Sequence, residues 1–116
     1  MKRKAVRRQF TYLPMLYLSE ELNPKNLPSM RRKLEHAKPG LVAILLTPDP
    51  KDQLELVRSF YLRLNAYEGK SPKLVGIAKD QDDAALLVEK MTQDCLRERG
   101  DCDLRAYCES LFGNRS

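Results

Sequence analysis

Across 116 residues the chain has one histidine, three cysteines and five glycines. Each scarcity removes a class of chemistry. His36 sits at the end of a basic segment, where an imidazolium suits a helix C-terminus. No serine or cysteine nucleophile served by a histidine base is therefore expected, and no GxSxG elbow occurs. Cys95, Cys102 and Cys108 match no zinc or redox spacing. They read as reduced, partly buried thiols of a cytoplasmic protein. No glycine stands at the start of a helix after a strand, and neither GxGxxG nor GxxxxGK[ST] is present, which argues against the common nucleotide cradles. No cofactor is expected. Apolar runs stay well short of the roughly 18 residues of a membrane-spanning helix, so no membrane insertion is expected. The basic start followed by FTYLPMLYL has the order of a secretion signal. Thr11, Pro14 and two tyrosines weaken its apolar part, however, and no small-x-small cleavage site follows.

What the chain does have is charge, unevenly spread. The net charge is +5, and Lys2, Arg3, Lys4, Arg7 and Arg8 account for all of it. A second basic segment holds Lys25, Arg31, Arg32, Lys33 and Lys38 against the single acid Glu35. From residue 39 onward, 11 basic residues face 13 acids. Residues 1–9 read as a basic leader, residues 10–112 as a single α/β domain of ordinary size, and residues 113–116 as a fraying tail.

Periodicity predicts the elements. FTYLPMLYL is aromatic and aliphatic and reads as a strand, with Pro14 limiting its regular pairing. Leu27, Met30, Leu34 and Ala37 recur at three, four and three, one face of a helix that Asn26 would cap and Pro28 would open. LVAILL is apolar throughout, as in a central strand covered on both sides. Leu54, Val57, Tyr61 and Leu64 again follow helical spacing, which predicts a helix over residues 50–67. KLVGIA is a strand in which Gly76 leaves room for another backbone or a ligand. Residues 80–100 give the clearest helix, capped by Asp80 and ended by Gly100. CDLRAYC alternates and predicts a half-exposed edge strand.

The expected order is therefore β-α-β-α-β-α-β: a small three-layer sandwich with a mostly parallel four-stranded sheet. The second choice is a two-layer α+β arrangement with an antiparallel edge strand. Two functions follow. The first is a binding or regulatory module rather than an enzyme. It would meet an anionic partner through Lys2, Arg3, Lys4, Arg7, Arg8, Arg31, Arg32 and Lys33, whose charges attract phosphates. Tyr12 or Tyr17 would offer stacking surfaces, although no known nucleic-acid module is evident. The partner would be a nucleic acid, another protein, or a second copy paired through the DLRAYC edge. The alternative is a metal-dependent phosphoryl-transfer or receiver-like domain. Ligands of open α/β sheets bind beyond the carboxyl ends of the strands. There Glu20, Asp49 and Asp80 would supply the hard oxygen ligands that magnesium prefers. Helix capping accounts for Asp49 and Asp80 equally well.

Overall fold

The apolar runs that open, centre and follow the middle of the chain lie side by side in one sheet. The computed structural model describes residues 9–46, 53–64 and 71–113. Strand β1 is Thr11–Leu18, and a 3₁₀ turn at Pro24–Asn26 leads into helix α1, Leu27–Glu35. Strands β2 (Val42–Leu46) and β3 (Leu54–Arg58) follow, then a 3₁₀ helix at Ser59–Arg63 and strand β4 (Lys73–Ala78). Helices α2 (Gln81–Arg99) and α3 (Leu104–Gly113) complete the domain. The sheet order is β1-β4-β2-β3.

Only β1 and β4 run parallel; β2 is antiparallel to both β3 and β4. The expectation of a mostly parallel sheet is overturned, and two misread segments explain why. Residues 53–64 do not form the helix expected over residues 50–67. They hold β3 and the 3₁₀ helix, so β2 has an antiparallel partner where a crossover helix was expected. The helical stripe also fails on burial, because Tyr61 and Leu64 are exposed while Leu62, off the stripe, is buried. CDLRAYC is likewise no strand: it lies at the start of α3. Leu104, Tyr107 and Cys108 are buried and Leu111 packs against them, which is an i, i+3, i+4, i+7 face. Asp103 Oδ1 accepts from the Ala106 amide at 3.0 Å, as a cap does three residues before its partner. Leu111 and Phe112 pack on the domain's own core. The proposed pairing of two copies through a DLRAYC edge loses its strand.

Strand β2 is buried at every position, because its alternate side chains enter two different cores. Val42, Ile44 and Leu46 join Val75, Ala84, Leu87, Met91 and Cys95 beneath α2 and α3. Ala43 and Leu45 join Met30, Leu34, Val57, Leu62, Leu74 and Ile77 beneath α1. Covering both faces is what an uninterrupted apolar strand requires.

Strand β1 pairs with β4 in two short stretches, Thr11–Tyr12 and Tyr17–Leu18, with a register shift between them. Pro14 lies in the shifted part, where no ladder donor is needed. Met15 there is 85% exposed. The room left by Gly76 is taken by this strand. A β carbon on Gly76 would lie 3.2 Å from the Tyr17 carbonyl oxygen and 3.2 Å from Ile44 Cδ1.

A polar contact locks β1 to the two C-terminal helices. The Tyr17 hydroxyl donates to Asp94 Oδ2 at 2.6 Å and lies 3.0 Å from the Tyr107 hydroxyl. With the Tyr17 proton directed at the carboxylate, Tyr107 is the donor between the two phenols. Arg97 Nη2 donates to Asp94 Oδ1 at 2.9 Å. The Tyr17 hydrogen bond, ahead of the Arg97 one, holds the buried Asp94 carboxyl below the usual carboxylate range. Burial first, then the Asp94 bond, pushes the Tyr17 phenol well above its ordinary value.

Helix ends follow local chemistry. Asp80 caps α2 by accepting from the Asp83 amide at 2.8 Å, and Gly100 ends it at φ +81°. Asn26 makes no side-chain cap at α1; Asn23 caps the preceding 3₁₀ turn instead. Ala37, at φ +54°, terminates α1 in the left-handed region. The Ala37 amide bonds the Leu34 carbonyl and the Lys38 amide bonds that of Lys33, the paired closure usually built on glycine.

Candidate functional site

Two regions gather polar chemistry near one end of the sheet. The first forms where the parallel strands β1 and β4 finish. The Ser19 amide donates to the Ile77 carbonyl at 3.0 Å and its hydroxyl to Asp83 Oδ2 at 2.7 Å. Lys79 Nζ lies 3.2 Å from Glu21, 3.5 Å from Asp80 and 3.8 Å from Asp83. Its pKa is raised, chiefly by the Glu21 hydrogen bond. The Asp83 amide holds the Asp80 carboxyl low. An ammonium thus occupies the centre of these acids, where a metal ion would otherwise balance them. Among the described residues no three acids, cysteines or histidines are grouped to hold a metal.

Of the expected metal set, Glu20 is exposed beside Ser19 and Asp83, and Asp80 is a helix cap. Asp49 lies outside the described residues. Strand β2, which leads toward it, is antiparallel to β4 and pairs Leu46 with Lys73. The carboxyl end of β2 is therefore at the opposite end of the sheet from Glu20 and Asp80.

The second region is basic and aromatic. Helix α1 packs against the 3₁₀ helix Ser59–Arg63 through Leu34 and Leu62 in one core. Ser59, fully buried, ties the 3₁₀ helix to the segment that follows α1: its hydroxyl donates to the Lys38 carbonyl and accepts from the Leu41 amide. This clamp sets Arg58, Phe60 and Tyr61 beside the turn that leaves α1. Phe60 is 41% and Tyr61 48% exposed. Their rings meet edge to face at 6.0 Å, and the Arg63 guanidinium lies 3.9 Å over the Phe60 ring.

Among the described residues from 25 to 64, Lys25, Arg31, Arg32, Lys33, Lys38, Arg58 and Arg63 stand against Glu35 and Glu55. Glu35 is buried and accepts from the Tyr12 hydroxyl at 2.6 Å. Of the expected anion-binding residues, Arg32 and Lys33 are exposed on α1. Arg31 is partly buried, with its guanidinium 4.2 Å from the centre of the Tyr12 ring. One face of Tyr12 is thereby covered, as Arg63 covers one face of Phe60; the Tyr12 hydroxyl is committed to Glu35 and the Tyr17 hydroxyl to Asp94. Lys2, Arg3, Lys4, Arg7 and Arg8 lie outside the described residues. Sequence reasoning missed Arg58, Phe60, Tyr61 and Arg63. The signal was present as RSFYLR, two adjacent aromatics between arginines, but the helical reading assigned Tyr61 to a core stripe.

A cleft of about 660 Å³ opens beside Phe60 and Tyr61. Residues 39–42, Arg58, Lys79 and Asp80 also line it, together with the first residues of α2, Gln81 and Asp82. Such a volume is in the range of small-ligand sites.

No helix among the described residues is long and apolar enough to cross a membrane. Compared with known families, curated proteins and solved structures, the chain matches no family, no relative and no structural neighbour.

Proposed function

We propose that the protein is a binding module for single-stranded nucleic acid, read through α1 and the Ser59–Arg63 segment rather than by catalysis. One observation carries this reading: the half-exposed rings of Phe60 and Tyr61 lie between Arg58 and Arg63, on a segment packed against the basic helix. Stacking platforms flanked by cations are how such proteins hold bases and backbone together. The positions are fixed by buried contacts, so little ordering remains to be done on binding. In this reading the domain has three layers. Helix α1 and the nucleic-acid face lie on one side of the sheet, and α2 with α3 on the other. Lys2, Arg3, Lys4, Arg7 and Arg8 would add phosphate contacts. A cytoplasmic setting suits the three free cysteines.

Fluorescence anisotropy of a labelled single-stranded oligonucleotide with the full chain tests the proposal. Three phosphate contacts, as from Arg32, Lys33 and Arg58, give a fall in affinity on the order of 20-fold between 50 and 200 mM salt. Replacing Phe60 and Tyr61 together by alanine should weaken binding at least tenfold, since each stacked base contributes about 1–3 kcal/mol. Binding that ignores salt, or survives the double substitution, defeats the proposal.

A further inference from the structure

We infer that the cleft beside Phe60 and Tyr61 receives a guanine base, an inference that rests on the nucleic-acid reading above and narrows it to one base. The two walls of the cleft differ in chemistry. Tyr61, and Phe60 on the face that Arg63 does not cover, offer rings on which any base can stack. The wall formed by the start of α2 is selective. Asp82 is exposed there, and its side chain makes no hydrogen bond or ion pair among the described residues. Asp80 is already engaged: one oxygen takes the Asp83 amide at 2.8 Å and the other lies 3.5 Å from Lys79. Asp82 is thus the carboxylate left for a ligand.

An ionised carboxylate only accepts hydrogen bonds, and it does so with two adjacent oxygens. The four bases differ in what they bring to it. Adenine and cytosine each present one donor beside an acceptor on the Watson–Crick edge. Uracil presents one donor between two acceptors. Guanine alone sets two donors side by side, N1–H and the N2 amino group. Paired N–H···O bonds to one carboxylate add geometric specificity. Arg58, which lines the same cleft, and the exposed Arg32 and Lys33 would take the flanking phosphates.

The test uses the full chain and nine-nucleotide RNAs in which a single central base, flanked by four uridines on each side, is guanine, adenine, cytosine, uracil or hypoxanthine. The guanine RNA should bind at least about fivefold tighter than the others, the usual reach of one bidentate base contact. Hypoxanthine keeps N1–H and loses the N2 amino group, so it should fall with the weaker set. Asp82→Asn should remove the guanine preference, so that the five RNAs bind within about twofold of one another. Equal, salt-sensitive binding of all five RNAs, or a preference that survives Asp82→Asn, overturns the guanine assignment and leaves the nucleic-acid reading standing. Failure of every RNA to bind removes both.

Discussion

Replacing Tyr17 by phenylalanine should cost the domain about 2 kcal/mol at neutral pH. The substitution keeps the ring and removes one hydroxyl, whose 2.6 Å bond ends on the charged Asp94. Hydrogen bonds to charged groups contribute roughly 1.5–3 kcal/mol. Arg97 at 2.9 Å and Lys90 at 3.9 Å remain with the carboxylate, so it is not left unpaired and the upper limit does not apply. Tyr107 loses its 3.0 Å partner as well. For a domain of this size the loss corresponds to a melting temperature lower by about 10 °C. The pH dependence is the sharper part. The folded-state pKa of Asp94 is depressed, with the Tyr17 bond as its largest cause. Its contribution is therefore present above the unfolded carboxylate pKa of about 3.9 and disappears as pH falls through the folded value. The gap between native and Tyr17→Phe proteins should be full at pH 7 and shrink below about pH 4. Urea denaturation followed by circular dichroism at several pH values measures it. A gap under about 0.5 kcal/mol at pH 7, or one of the same size in acid, refutes the reasoning.

Two further substitutions probe the frame around the proposed site. Ser59→Ala leaves the Lys38 carbonyl and the Leu41 amide without their shared hydroxyl in a fully buried position. It should destabilise the domain by about 1–3 kcal/mol in urea titrations and weaken oligonucleotide binding, although the side chain is fully buried. Gly76→Ala places a β carbon 3.2 Å from both the Tyr17 carbonyl and Ile44 Cδ1. The cost of overpacking, roughly 1–3 kcal/mol, exceeds the 0.4–1 kcal/mol recovered from a stiffer unfolded chain. A net loss near 1 kcal/mol is expected, and a gain in stability would show that β1 yields freely there.

The elements with an unambiguous period were legible from sequence. LVAILL read as a strand covered on both faces, and Asp80 and Gly100 marked the ends of α2. Ambiguity arose where a segment satisfied two patterns. Leu54, Val57 and Tyr61 fit a helix, yet Leu54, Glu55 and Leu56 also alternate as a strand, and pairing with β2 decided the matter. At residues 102–108 the seven-residue window was too short. Leu111, one turn further on, completes the helical face that Leu104, Tyr107 and Cys108 begin. The candidate site was half legible. Arg32 and Lys33 carried their charge openly. The role of Phe60 depended on a tertiary clamp through Ser59 that no local pattern announces.

The one parallel pairing in the sheet has a consequence for the order of assembly. Thr11 finds its partner in Lys73, and Leu18 in Ile77, so β1 waits for β4 to be synthesised about 60 residues later. Meanwhile β2 and β3 are close neighbours in sequence and can form a hairpin early. Distant pairings are slow because chain closure precedes any reward from contact. A nascent chain halted before residue 73 would hold an aromatic, unpaired FTYLPMLYL segment, and such segments are natural targets for chaperones and for aggregation.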